Sequence, residues 1–282
     1  MTTAVTGATG HLGALVVEGL IERGVEVAEI VAVVRDAAKA QSLADRGVQV
    51  RVADYGDVAA LVSALADVDK LLLVSGSDVG KRIAQHANVI EAAESAGVSL
   101  IAYTSILKAD TSGVSLAVEH VATEKRLGTS SISSVFLRNG WYWENYLGSL
   151  PQTIEGGVLL GAGADGKIAA ASRADYAMAA VEVLVTDGHE NKIYELGGDE
   201  RLTYSDLAAV ITEVCGKSVV YEDVSQSQYQ SILEKAGLPG FVAEMLSSAD
   251  AGIAHGDLDT VSGDLQRLIG RTSTPVAEIL KG

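Results

Sequence analysis

Near the start of the chain, Gly7-Ala8-Thr9-Gly10-His11-Leu12-Gly13 sets three glycines at intervals of three, after a short apolar run and at the head of a helical pattern. Glycine lets the backbone turn sharply and approach a ligand with no Cβ in the way. The helix that follows offers unpaired N–H groups and the positive end of its dipole, so the chemistry suited to this spot is the binding of a diphosphate. The spacing is Gly-x-x-Gly-x-x-Gly rather than Gly-x-Gly-x-x-Gly, with the same mechanics. Without a ligand, the same residues make a tight strand-to-helix turn.

A dinucleotide reading makes a demand at the end of the second strand, about 20 residues on, where an acid would bind the 2′-hydroxyl of NAD. The residue there is Arg35, with Lys39 nearby. A guanidinium at that place holds a 2′-phosphate through paired, charge-assisted hydrogen bonds, so NADP(H) is favoured over NAD. Asp36 follows at once and competes, either by pairing with Arg35 or by binding a ribose; a solvated loop arginine is the plainer alternative. Asp54 follows the third strand, where its carboxylate either accepts from an adenine amino group or serves the turn before Gly56. Ser75-Gly76-Ser77 follows the fourth strand, small enough for a loop to run close to a cofactor. Lys167, after the turn Asp165-Gly166, reaches a phosphate or a nicotinamide ribose, or is simply a solvated turn lysine.

These residues need a scaffold that brings strand ends together. Near-continuous apolar runs at 4–6, 29–34, 48–53, 71–75, 100–104 and 134–137 suit strands buried on both faces of a parallel sheet. Helical patterns at 12–23, 59–65 and 82–96 lie between them, with Asp57 as an N-cap and Gly97 as a C-terminal stop. The alternation predicts an α/β fold, a Rossmann-type doubly wound parallel sheet whose ligands sit at the carboxyl ends of the strands. After Trp141 the pattern loosens. A helix over 175–185 and a strand near 192–196 read as a return to the main sheet; Thr203 with Asp206 and Ser225 with Gln228 mark helix starts, and 240–249 and 275–280 read as later helices. The expected organisation is a dinucleotide-binding domain over residues 1–150, with 165–198 returning to its sheet, and a smaller, mostly helical substrate domain over 151–282.

Composition narrows the function classes. The 282 residues carry a formal net charge of −16, which opposes non-specific binding to nucleic acid or anionic membranes. The 48% hydrophobic content and mean hydropathy of +0.25 argue for a folded core rather than disorder. One cysteine, Cys215, excludes an intramolecular disulfide, and the five scattered histidines form no metal motif, so no metal is expected. The uncharged stretch over residues 1–17 lacks a basic n-region and is broken by glycines, so a cytoplasmic protein with no membrane segment is expected.

Residues 7–13, Ala53-Asp54-Tyr55, 71–77, Ala102-Tyr103-Thr104-Ser105, 138–146, 165–176 and 194–198 together resemble the NmrA-like atypical short-chain dehydrogenase/reductases. Within them, the chain is most similar to the type 2 NAD(P)H:quinone oxidoreductases and also resembles triphenylmethane-dye reductases. The resemblance spans essentially the whole chain. The run Arg138-Asn139-Gly140-Trp141-Tyr142-Trp143-Glu144-Asn145-Tyr146 is its narrowest part. It implies that Tyr55, Arg138, Asn139, Gly140 and Trp141 join the glycine loop around the cofactor, and that Asn145 orients the substrate beside Tyr142.

One departure from the wider superfamily bears on the reaction. Alcohol-oxidising members use Tyr-x-x-x-Lys, in which the lysine lowers the tyrosine pKa; none of the nine tyrosines here has a lysine four positions later. Ser105 occupies the serine place without its tyrosine. Quinone reduction needs less, because hydride addition leaves a delocalised aryl-oxide that hydrogen-bond donors or water can serve. Both tryptophans and two of the nine tyrosines fall in residues 138–146, where flat rings either stack on a flat acceptor or wedge two domains together. The expectation is an NADPH-dependent reductase of a small quinone-like acceptor, working without flavin, with its oligomeric state open and a homodimer among the options. A non-catalytic NADP(H) sensor and a dye reductase are the rivals.

Overall fold

The computed structural model describes residues 1–281. The strands are β1 (Thr3–Thr6), β2 (Ile30–Val34), β3 (Gln49–Val52), β4 (Lys70–Leu73), β5 (Leu100–Ile106), β6 (Ser133–Asn139), β7 (Val158–Gly161), β8 (Ile193–Leu196) and β9 (Val220–Asp223). The helices of the first half are α1 (His11–Glu22), α2 (Gln41–Asp45), α3 (Val58–Ala64), α4 (Arg82–Ala96) and α5 (Ala117–Gly128). Those of the second half are α6 (Leu150–Gly156), α7 (Arg173–Val185), α8 (Tyr204–Cys215), α9 (Gln226–Lys235), α10 (Gly240–Ala254), α11 (Asp264–Ile269) and α12 (Val276–Ile279).

Seven strands form one sheet in the order β3-β2-β1-β4-β5-β6-β8. Pairing is parallel from β3 through β5, in registers such as Ala4↔Val31 and Leu71↔Ile101. At the far edge, Asn191 donates to Ser134 and Phe136 to Lys192, so β6 and β8 climb together. The order reverses between β1 and β4, which opens the crevice outside their carboxyl ends. Alternate side chains explain why the strands are apolar throughout. Ala4, Val31, Leu71 and Ile101 face a core completed by Leu61 of α3 and Ile90 of α4, while Val5, Ala32 and Leu72 on the opposite face are equally buried.

The described residues fall into two compact units. The first comprises Met1–Ser105, Glu119–Arg138 and Arg173–Tyr194; the second comprises Ile106–Val118, Asn139–Ser172 and Glu195–Gly282. The chain thus crosses several times: the first departure, expected near residue 150, divides into crossings at the ends of β5 and β6. Residues 165–172 stay with the second unit, and only 173–194 of the expected return belongs to the first. Within the first unit α1 packs on α7, and Gly19 lies so near Val181 that an added Cβ would come within 2.9 Å of it.

The second unit is not helical alone. It holds a two-stranded parallel sheet, β7 with β9, registered Val158↔Val220 to Gly161↔Asp223. These strands are half-exposed and short, so they carry no long apolar run to announce them. Both marked helix starts are complete capping boxes: Thr203 with Asp206 for α8, and Ser225 with Gln228 for α9. Helix α10 continues to Ala254, beyond the expected end at 249. Cys215 is half-buried at the end of α8.

Candidate functional site

The first unit carries a cavity of about 420 Å³ at the carboxyl ends of β1, β2, β3 and β4. Gly7, Thr9, Gly10, His11, Leu12 and Gly13 form its floor, and Arg35, Asp54, Tyr55, Ser75, Gly76 and Ser77 also line it. Gly7 has φ +59°, a left-handed turn that suits glycine. A Cβ on Gly13 would sit 2.3 Å from the Gly7 carbonyl oxygen, so helix and strand end are in backbone contact there. Helix α1 starts at Gly10 with no side chain capping it, which leaves first-turn N–H groups as donors at the cavity.

The cavity sets two cations beside the carboxylates of Asp36, Asp54 and Asp78. Arg35 and Lys39 line it, are exposed, and make no hydrogen bond or ion pair among the described residues. Asp36 does not pair with Arg35: its carboxylate accepts from Ala38 N at 2.9 Å and caps a short turn over Ala37–Ala40. Asp54 likewise accepts from Gly56 N at 2.7 Å, closing the turn after β3. A cradle that a Cβ would fill, open helix donors and two uncommitted cations together fit a dinucleotide carrying a 2′-phosphate.

The fourth wall, Ser75 to Asp78, is held from behind by buried polar groups. Ser75 N donates to Thr104 Oγ1 (2.8 Å), Gly76 N to His86 Nε2 (3.0 Å), Arg82 Nε to Gly76 O (2.5 Å), and Gly80 N to Glu119 Oε1 (2.9 Å). His86 accepts through Nε2, so its proton is on Nδ1, which meets Thr123 Oγ1 at 2.9 Å. Burial, reinforced by the Arg82 charge, lowers the His86 pKa to about 4 and that of His120 to about 3. Both rings are therefore neutral. Tyr55 closes the wall with its hydroxyl 2.5 Å from Thr6 Oγ1 and 2.9 Å from the Val74 carbonyl oxygen, and burial pushes its phenol up.

In the second unit, the segment after β6 is fixed by backbone bonds. Gly140 N donates to Leu196 O, Ala171 N to Trp141 O, and Trp143 N to Ala171 O. Trp143 is buried at 1% exposure, so it is core. Trp141 and Tyr142 are half-buried and Asn145 is exposed, at the end of a short turn over Trp143–Asn145. Asn139 donates to the Tyr142 hydroxyl at 3.3 Å.

The structure thus brings the residues expected at 7, 9–13, 35, 54, 55 and 75–77 around one cavity. Ala8 is wholly buried and supports the loop from beneath rather than lining the cavity. Arg138, expected at the cofactor, turns its guanidinium into the core of the first unit. There it grips Glu124 in a two-point ion pair (Nε–Oε1 3.0 Å, Nη2–Oε2 2.7 Å). Ser105 donates to the same carboxylate at 2.6 Å, so its hydroxyl is engaged. Asn139, Gly140, Trp141, Tyr142, Asn145 and the exposed Lys167 all belong to the second unit. Sequence reasoning missed Glu124 and the way His86, Arg82 and Glu119 hold residues 75–80. Their only signal was the density of polar residues in α4 and α5, which reads equally as solvated helix faces.

A model of the NmrA-like family matches residues 1–265. The chain belongs to the NmrA-like family. Quinone oxidoreductase 2 of Escherichia coli is 53% identical over 275 residues, spanning 98% of this chain and 96% of that protein. The crystal structure of the E. coli NADPH-dependent quinone oxidoreductase complexed with NADPH superimposes with a TM-score of 0.97 at 52% identity, covering 99% of each chain. The Citrobacter sp. triphenylmethane reductase complexed with NADP(H) gives a TM-score of 0.93 at 40% identity, covering 100% of this chain and 99% of that one. As in the sequence alone, this NmrA-like chain has no Tyr-x-x-x-Lys pair. Among the described residues, no helix is long and apolar enough to cross a membrane, and no cluster of three or more His, Cys, Asp or Glu residues could hold a metal ion.

Proposed function

We propose that this protein is an NADPH-dependent reductase that delivers hydride directly to a quinone or a similar flat, electron-poor acceptor, without flavin. One observation carries the reading: near-full-length similarity to an NADPH-dependent quinone oxidoreductase. It meets a chain whose own cavity ends on the uncommitted Arg35.

Residues 7–13 hold the diphosphate through backbone donors, and Arg35 with Lys39 holds the 2′-phosphate. Asp54 and Tyr55 border the adenosine half, while Ser75, Gly76 and Ser77 run along the other side. Asn139, Gly140, Trp141 and Lys167 complete the cofactor contacts, and Arg138 acts from within by tying β6 to Glu124 of α5. When bound, NADPH supplies the hydride, and a quinone that accepts it becomes a delocalised aryl-oxide. The protein therefore needs orientation and hydrogen-bond donors more than a tuned acid. Asn145 donates its carboxamide N–H to an acceptor oxygen, and Tyr142 offers a flat ring beside it. Ser105 does not serve as a proton donor, because its hydroxyl is bonded to Glu124. The cytoplasm is the proposed compartment, and a homodimer is a compatible assembly.

The test is turnover by purified, flavin-free protein. Oxidation of NADPH that saturates with a simple 1,4-quinone supports the reading. Tight NADPH binding with no turnover over quinones and cationic dyes would instead identify a sensor of the nucleotide.

A further inference from the structure

The second unit buries an acid that the proposed chemistry does not use. Asp250 lies in α10 between Ala249 and Ala251 and is 5% exposed. No cation pairs with it among the described residues. Its partners are the Tyr204 hydroxyl, which donates to Oδ1 at 2.6 Å, and the Ala162 N–H, which donates to Oδ2 at 2.8 Å. Behind Tyr204, the Tyr146 hydroxyl donates at 3.3 Å, and the Trp141 indole hydrogen-bonds to Tyr146. Indole N–H is a donor only. The four groups therefore form a one-way chain, Trp141 to Tyr146 to Tyr204 to Asp250, in which each hydroxyl accepts from one neighbour and donates to the next. The middle link is locked by packing: a Cβ on Gly163 would come 2.7 Å from the Tyr204 ring, and Tyr146 meets Tyr204 edge-on with centroids 6.0 Å apart.

We infer that Asp250 is a positioning residue for the acceptor-facing segment, fixing the side chains of Trp141 and Tyr146, and with them the turn that carries Tyr142 and Asn145. It does so by terminating this chain of hydrogen bonds as an ionised acceptor. Only the label "acceptor-facing" rests on the proposed function; the chain of bonds does not. The groups facing Asp250 are Tyr204 of α8, Tyr146, Tyr229 of α9, and Tyr221 with Asp223 of β9. None is a cation. Burial, helped by the Asp223 charge, accordingly raises the Asp250 carboxyl to about 6. Once protonated, the acid offers the Tyr204 hydroxyl a neutral oxygen in place of a carboxylate, a weaker acceptor. The charge-assisted hold on Tyr204 is lost, and with it the grip passed through Tyr146 to Trp141 loosens.

The protein contains two tryptophans, Trp141 and Trp143, both in this segment. Intrinsic tryptophan emission therefore reports the segment without any substrate. Wild-type emission should shift with a midpoint near pH 6. Asp250→Asn presents one amide N–H2 to two donors at every pH, imitating the protonated acid, so the transition should vanish; Tyr204→Phe removes the middle link and should abolish it too. The quinone KM of the wild type should rise about tenfold on acidification, the effect of losing one hydrogen bond to a charge. In Asp250→Asn it should be high and flat with pH. A flat wild-type emission profile, or variants that titrate like the wild type while remaining folded by circular dichroism, would overturn the inference. If the emission transition follows Asp250 but no protein reduces quinone, the proposed function fails and the positioning role stands.

Discussion

The glycine loop that floors the first unit's cavity is a wall of backbone, whereas the polar centre of the second unit is made mostly of side chains. Around Gly7, Gly10 and Gly13 the loop is backbone alone, and at Gly13 the nearest atoms leave no room for one methyl group. Around Asp250 the contacts are tyrosine hydroxyls and one backbone N–H, that of Ala162, with Tyr146 edge-on to Tyr204 and Tyr221 tilted against it. A backbone-walled site is rigid and indifferent to pH but intolerant of added volume. A side-chain centre tolerates isosteric change and responds to a single proton. The buried polar groups behind residues 75–80 sit between these cases, since His86 and His120 are held neutral by burial.

The contrast is broken most severely by filling the cradle. In Gly13→Ala the new methyl meets the Gly7 carbonyl oxygen at 2.3 Å, and the helix must move off the strand end. NADPH affinity should fall by about a hundredfold or more, the scale of overpacking against backbone at 1–3 kcal/mol with lost phosphate donors added. Fluorescence titration that finds a change of only a few-fold would show that the loop is not the phosphate cradle. Arg35→Ala should lower NADPH affinity by about ten- to a hundredfold, the worth of a charge-assisted contact to phosphate, and leave NADH binding nearly unmoved. Equal losses for the two cofactors would remove Arg35 from the 2′-phosphate.

A smaller effect concerns stability. His86 titrates near 4 in the folded protein and near 6.5 when unfolded. Between these values the unfolded chain binds the extra proton, so stability is present above pH 6.5 and is lost as pH falls toward 4. This residue should contribute a loss of about 1 kcal/mol between pH 6 and pH 5. Urea unfolding of His86→Gln should show a correspondingly shallower acid decline than the wild type. Identical slopes would mean that the histidine takes up its proton without leaving the fold.

How much of this was legible in the sequence follows the same division. The main sheet was, because strands buried on both faces leave apolar runs, and β1 to β6 fall within a few residues of those runs. That the glycine loop and Arg35 border one cavity was legible, because both sit at strand ends fixed by spacing along the chain. β7 and β9 were not, since short half-exposed strands leave no periodic signature. Arg138 was misplaced for a different reason: its partner Glu124 is 14 residues away on α5, and local sequence does not tell a buried ion pair from a ligand contact. Asp250 left one trace, an acid between Ala249 and Ala251 in the later half of α10. Its meaning depends on Tyr204, 46 residues earlier.

The claim that Asn145 serves the acceptor rather than the cofactor is tested most directly by replacing it. It is exposed and belongs to the second unit. NADPH dissociation constant and quinone-dependent turnover should be measured on the same preparation of Asn145→Ala. Turnover is predicted to fall by about tenfold, the loss of one oriented hydrogen bond to a developing oxyanion, with NADPH affinity unchanged. Unchanged turnover, or equal losses in turnover and NADPH affinity, would contradict the account.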